Sequence, residues 1–143
     1  MRWIIALFLY SLLTVPASWG ADIGLQIGMH HISAAIANTP LGRERGLMEQ
    51  TQLCANCGML FVFPNAAKHA FWMKNTPLPL SIAFIAADGR ILNITEMKAN
   101  STHTHRAQGN ALFALEMKKG WFAEHSIKPA DRVTGLQKVP RGE

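Results

Sequence analysis

Short apolar runs separated by tight turns are the feature that most constrains how this chain can fold. Two such runs, residues 80–87 and 90–97, flank the dipeptide Asp88-Gly89. Asp-Gly between two apolar runs is the strongest short signal for a β-hairpin, because both residues tolerate positive φ. With 143 residues, the chain has room for one domain. The pattern therefore predicts a single β domain with residues 88–89 at a hairpin tip.

Other segments repeat the strand pattern. Apolar residues alternate with a period of two over residues 23–27 and 32–36, and a continuous apolar run at 58–63 ends at Pro64. Thr39-Pro40 is a helix start, which predicts a short helix through Met48, and a second short helix fits residues 120–126. Further strands are predicted at 69–73, 111–117 and 132–136. About seven short strands at close spacing favour a small barrel or a jelly-roll-like sandwich with one or two short helices.

The first twenty residues have the composition of a secretory signal peptide rather than of a folded element. Arg2 precedes an apolar stretch at residues 3–13, and the small residues Ala17, Ser18, Gly20 and Ala21 lie beyond it. The stretch is too short for a membrane span of about 20 residues. We therefore expect a signal peptide at 1–20, a β domain at 21–136 and a polar, frayed tail at 137–143. The mature protein is expected to be periplasmic or secreted and to meet the membrane only through the cleaved signal.

The amino-acid composition limits the kinds of molecule that the protein is expected to bind. Apolar residues make up 49% of the chain and charged residues 16%, which excludes a disordered protein. The net charge of +5 is modest, and outside the cytoplasm it argues against nucleic acid as the partner. It permits weak attraction to an anionic component of the cell envelope. The chain contains no phosphate-binding glycine motif and no nucleophile-elbow motif.

Several segments, taken in order, resemble the DUF192 family across residues 32–133. The resemblance implies a compact, mainly β fold of barrel or jelly-roll type, and it implies no activity. Members often carry a Pro-Cys step near the place where Lys98-Ala99 stands in this chain, and the pair Cys54 and Cys57 is outside the family pattern. The matching segments are Thr39-Pro-x-x-Arg43-x-Arg45-Gly-Leu-Met48, Gly58-Met-Leu-Phe-Val-Phe-Pro64, Phe71-Trp-Met-Lys-Asn-Thr76, Phe84-Ile-x-x-Asp88-Gly89, Ala114-Leu-Glu116-x-x-x-Gly120-Trp121 and Ile127-Lys-Pro-x-Asp131-Arg-Val133.

The segment around Trp72 is the best candidate for a ligand site. Trp72, Lys74 and Asn75 place a ring, a cation and an amide next to a proline-rich turn. That combination suits a saccharide or another small polar ligand, which needs ring stacking and directed hydrogen bonds. Glu116 and Arg45 complete the predicted ligand-binding set. The structural alternative is that the segment packs into the core and that Lys74 pairs with Glu116.

The two cysteines, Cys54 and Cys57, are spaced as in redox motifs, but a strand pattern follows them where a catalytic pair would open a helix. We therefore expect a structural disulfide, with metal binding and redox catalysis as alternatives. His103 and His105 are the histidines best spaced to share a metal, and two solvated histidines are the simpler interpretation. No cofactor is predicted.

Three functions remain open from the sequence. The first is a non-catalytic module that binds a small polar ligand, a saccharide or a partner protein. The second is a metal or redox accessory protein that uses Cys54, Cys57 and the histidines. The third is an enzyme built around Trp72, Lys74, Asn75 and Glu116.

We predict that the exported protein begins at Ala21, because cleavage after Gly20 puts the small residue Ser18 at the −3 position. N-terminal sequencing of the protein from an extracytoplasmic fraction checks this. An intact Met1 on protein recovered from the cytoplasm would contradict it.

Overall fold

A seven-stranded sheet, curled into a half-barrel, forms the body of the protein, and a second sheet has two short strands. The computed structural model describes residues 22–143, so the predicted signal peptide lies outside the described residues. Within that part of the chain, no helix is long and apolar enough to cross a membrane. The predicted mainly β fold with two short helices is confirmed. The strands are β1 Ile23–Ile27, β2 His30–Ala37, β3 Cys57–Ala67, β4 Ala70–Phe71, β5 Leu80–Ile85, β6 Ile91–Met97, β7 His105–Arg106, β8 Ala111–Lys118 and β9 Val133–Thr134, and the helices are α1 Pro40–Arg45 and α2 Trp121–Glu124.

The order of strands in the large sheet is β6-β5-β8-β3-β2-β1-β9. Every neighbouring pair is antiparallel except β2 and β3, which are parallel. The hairpin of β5 and β6 turns at Asp88-Gly89 as predicted: the Gly89 N–H donates to the Ala86 carbonyl at 2.9 Å, and Gly89 has a φ of 88°. β8 therefore lies between β5 and β3, near the middle of the sheet.

The parallel pair requires a crossover, and residues 38–56 supply it. The Thr39 hydroxyl accepts a hydrogen bond from the Gly42 N–H at 3.0 Å and so caps α1. The helix ends at Arg45, short of the predicted Met48. The reason is Gly46, which has a φ of 47° and lies so close to Phe61 that a Cβ there would be 3.1 Å from the ring. The crossover thus carries α1 directly over one face of the sheet.

Strand β3 continues beyond the predicted stop at Pro64. The register against β8 shifts between Val62 and Ala67, so β3 has no regular ladder with β8 at Pro64. Proline is tolerated at such an irregularity because no hydrogen bond from its nitrogen is required. The extension carries the chain to Ala67, where it turns toward β4.

Each face of the sheet has its own apolar core. The first face is covered by α2 and the segment around β9, and the second by the crossover, β4 and the loops beside it. The first core contains Leu60, Ile85, Leu115, Trp121 and Phe122, among others. The second contains Met59, Phe61, Met73, Ile82, Phe84 and Ala114, among others.

The tail is held by hydrogen bonds, so the expectation that it is frayed is wrong. Residues 136–138 form a 3-10 helix. The Glu143 N–H donates to the Asn38 carbonyl at 2.8 Å, and the Asn38 side-chain amide donates to the Arg141 carbonyl at 3.0 Å. The polar sequence of the tail led us to expect its backbone groups in water. They instead form hydrogen bonds with the crossover.

We predict that Gly58→Ala destabilises the protein by about 3 kcal/mol, because the new Cβ would overlap the Glu116 carbonyl oxygen and the Met117 sulfur. Gly24→Ala is the matched control, since a Cβ at Gly24 has no heavy atom within 4 Å. It should be neutral or slightly stabilising. Urea unfolding of both variants checks this, and equal stabilities would be inconsistent with the packing described.

Candidate functional site

Glu116 occupies an unusual position for a carboxyl group. It lies on β8 with Met59 of β3 and Ile82 of β5 as its cross-strand partners. Its residue is only 4% exposed, and both flanking strands hold its backbone in place. Burial raises the pKa of Glu116 from its ordinary value of 4.5 to about 8. The group is therefore mainly a neutral carboxylic acid at pH 7.

A cavity of about 260 Å³ opens above this carboxyl group. Glu116 lies on β8 beneath it, aromatic side chains from β3 and the β4 segment line it, and α1 with the turn after it completes the lining. The lining residues are Arg43, Glu44, Arg45, Gly46, Leu47, Met48, Phe61, Phe63, Ala70, Phe71, Trp72, Thr76 and Glu116. A carboxyl group, several rings and a cationic side chain therefore converge on one space of small-molecule size.

Phe71 organises the aromatic part of the lining. Its ring is edge-on to Phe61 at a centroid distance of 4.9 Å, to Phe63 at 6.0 Å and to Phe84 at 5.6 Å. The short pairing of β4 with β7, in which Phe71 opposes His105, holds its backbone. The next residue, Trp72, is 49% exposed. Trp72 is therefore the most exposed of the aromatic residues that line the cavity.

The two arginines of α1 have different roles. The Arg43 guanidinium donates to the carbonyls of Asn38 at 2.7 Å, Val62 at 2.9 Å and Glu143 at 2.6 Å. It therefore fastens the crossover and the tail to β3. Arg45 is exposed and forms no side-chain hydrogen bond or ion pair within residues 22–143. Arg45 is the cation at this cavity that remains available to a ligand.

Lys74 and Asn75 do not line the cavity, although the sequence groups them with Trp72. The Lys74 Nζ lies 5.3 Å from the centre of the Trp72 ring. Asn75 has a φ of 55°, and its carbonyl accepts a hydrogen bond from the Glu49 N–H at 2.8 Å. Lys74 and Asn75 therefore occupy the turn between Met73 and Thr76, where the Thr76 N–H donates to the Met73 carbonyl at 3.1 Å. Lys74 makes no ion pair with Glu116, so the structural alternative for that pair is not realised.

The cysteines lie apart from this cavity. Cys54 and Cys57 form a disulfide with Cα atoms 5.0 Å apart, in the turn that leads into β3. They border a second cavity of about 210 Å³. Asn56, within the turn, accepts a hydrogen bond from the Trp121 indole at 3.1 Å. The turn therefore joins the crossover to α2 on the opposite face.

His103 and His105, the histidines best spaced to share a metal, lie next to each other, and a second pair of histidines lies elsewhere. His103 and His105 have ring centroids 4.9 Å apart, and burial together with the charge of His103 lowers the pKa of His105. His30 and His125 form another pair at 4.6 Å. In residues 22–143, no group of three or more His, Cys, Asp or Glu residues is placed to hold a metal ion.

Sequence reasoning missed part of the lining. Phe61, Phe63 and Phe71 follow strand patterns that are typical of core residues, and Glu44 resembles a residue of a solvated helix face. The signal that could have found them is their grouping with Arg45, Trp72 and Glu116 in the segments shared with DUF192. Tertiary contact, which periodicity does not encode, is what makes these residues neighbours.

The fold and site define a class: a small curled β sheet with one buried carboxyl group beneath an aromatic-lined cavity. Residues 23–135 match the DUF192 family, which is described as Uncharacterized ACR, and the chain belongs to that family. The comparison with curated proteins finds no match.

Two solved structures share the fold. One is a proposed transcription regulator from Sinorhizobium meliloti 1021, with a TM-score of 0.79 and 31% identity over 81% of this chain and 95% of that one. The other is a protein of unknown function from Novosphingobium aromaticivorans DSM 12444, with a TM-score of 0.80 and 31% identity over 83% and 89% of the two chains. The likeness thus extends over most of the domain.

We predict that stability depends on pH through Glu116. Between pH 4.5 and pH 8 the native carboxyl group keeps a proton that the unfolded chain has lost, so the free energy of unfolding falls as pH rises through this window. Glu116→Gln removes this dependence and should stabilise the protein by about 5 kcal/mol at pH 9, with little effect at pH 4. Denaturant melts across the pH range measure this. A parallel pH dependence in wild type and variant would contradict it.

Proposed function

We propose that the cavity above Glu116 binds a small polar ligand and that the protein is a binding module of the cell envelope. The observation that supports this best is the buried Glu116 carboxyl group facing a cavity with an exposed tryptophan beside it. A ligand would place its polar group at Glu116, its flat or apolar surface against Trp72, and further polar groups near Arg45. A saccharide unit has all three features.

The cost of burying the Glu116 carboxyl group supports a role in ligand binding rather than in stabilising the fold. Within the described residues the carboxyl group makes no ion pair and accepts no side-chain hydrogen bond, so it contributes no internal polar contact that would stabilise the fold. Its neighbours Met59 and Ile82 are apolar, and an apolar residue would fill the position at less cost. We therefore attribute the carboxyl group at this position to a ligand that binds in the cavity.

The proposed location follows from the signal peptide predicted at residues 1–20. Outside the cytoplasm the available small polar molecules include envelope saccharides and imported nutrients.

Acid–base catalysis is the second candidate function, because Glu44 and Glu116 line the same cavity and differ sharply in burial. A buried acid that keeps its proton and an exposed carboxylate can divide the roles of general acid and general base. Formation of a product from a bound compound would favour this candidate over simple binding.

We predict that ligand-observed NMR with a panel of monosaccharides, amino sugars and amines detects binding to the wild-type protein. Trp72→Ala should weaken that binding by roughly tenfold, because it removes the stacking surface. Leu41→Ala is the matched control, since Leu41 is an exposed apolar residue that does not line the cavity. Following the same samples over time reveals any turnover. The proposal fails if no compound binds, or if both variants bind as the wild type does.

A further inference from the structure

The carboxyl group of Glu116 has no side-chain hydrogen-bond donor and no ion-pair partner among the described residues, and this limits which ligands suit it. It lines the cavity, yet no side chain in residues 22–143 donates a hydrogen bond to it or forms an ion pair with it. No fully enclosed side-chain oxygen of the described residues lacks a hydrogen-bond partner. The Glu116 oxygens therefore remain in contact with the cavity, and a ligand can reach them.

No cation within residues 22–143 forms an ion pair with this carboxyl group. β3 and β5 present Met59 and Ile82 to it, and the β4 segment contributes Phe71 and Trp72 to the cavity. The charged groups that line the cavity, Arg43, Glu44 and Arg45, all come from α1. Burial is the cause of the raised pKa of Glu116, and neither arginine forms an ion pair with it.

The aromatic lining favours a positive charge. Phe61, Phe63, Phe71 and Trp72 border the cavity. The faces of aromatic rings carry negative electrostatic potential, and they attract ammonium groups most strongly where water is excluded. Trp72 already attracts one ammonium group, because the Lys74 Nζ lies 5.3 Å from its ring centre.

The presence of an acid rather than an amide at position 116 also favours a cationic ligand. A neutral ligand needs only a hydrogen-bond donor and an acceptor, which a glutamine amide supplies without the cost of ionisation. Only a carboxyl group can develop a full negative charge in response to a cation. The geometry therefore favours a ligand that brings the missing charge with it.

We infer that the ligand of this cavity carries a protonated amine, which forms an ion pair with Glu116 between the aromatic side chains. This inference rests on the proposed function and adds the chemical class of the ligand. An amino sugar has the required combination, since its ring can stack on Trp72 while its ammonium group enters the cavity.

Proton release accompanies such binding. The pKa of Glu116, about 8, means that the free protein holds a proton there at neutral pH, and the ammonium group displaces it. Affinity for an amine should therefore rise with pH up to about 8. Glu44 is the other carboxyl group at the cavity, and Glu44→Gln shows whether it contributes to this dependence.

The test uses two probes of nearly equal shape, cyclohexylammonium chloride and cyclohexanol, with sodium chloride as the ionic-strength control. Isothermal titration of the whole protein at pH 6 and pH 8.5 should show amine affinity rising at least tenfold, while cyclohexanol affinity stays constant. At pH 8.5 the amine should bind at least tenfold more tightly than the alcohol. Glu116→Gln should abolish both differences, and Glu124→Gln, which changes an exposed carboxyl group on α2 outside the cavity, should preserve them.

The outcomes separate the two proposals. Equal binding of amine and alcohol, or a pH dependence that survives Glu116→Gln, overturns the amine inference and leaves the cavity a binding site. Binding of neither probe, together with no response to the wider panel, overturns the proposed function and the inference with it.

Discussion

The burial of one carboxyl group in the middle of an apolar sheet is the constraint on which the rest of this structure depends. Glu116 lies on a strand that is paired on both sides, so its side chain cannot reach solvent by local fraying. Ionisation there costs on the order of several kcal/mol, judged from a pKa of about 8. Net stabilities of domains are about 5–15 kcal/mol. The two apolar cores must therefore hold β8 firmly in place.

The segments that cover the second face of the sheet hold β8 in place and still leave the cavity open. Gly46 ends α1 early and lets the crossover approach Phe61 closely. Arg43 joins the crossover to β3 and to the tail through three carbonyl groups. The β4 segment approaches from the other side and is held by β7. Between these two supports a space remains above Glu116.

Much of the fold could be predicted because its signals are local. Asp88-Gly89 specifies a turn, the alternation of Ile23, Leu25 and Ile27 specifies a strand, and Thr39-Pro40 specifies a helix start. The early end of α1 has a local signal in Gly46, whereas the close packing of Gly46 on Phe61 could not be predicted. The passage of β3 through Pro64 could not be predicted either, because it depends on β8, which is distant in sequence. The docked tail likewise depends on Asn38 and Arg43, about a hundred residues away.

The candidate site was predictable only in part for the same reason. Trp72, Arg45 and Glu116 do line one cavity, whereas Lys74 and Asn75 lie outside its lining, in the turn closed by the hydrogen bond from the Thr76 N–H to the Met73 carbonyl. A direct test of the account is the titration of the Glu116 side-chain carboxyl carbon by ¹³C NMR, assigned by comparison with Glu116→Gln. The account predicts an apparent pKa near 8. A midpoint near the ordinary value of 4.5 would contradict it, because the carboxyl group would then be solvated and the cavity would lack the feature on which the proposed function depends.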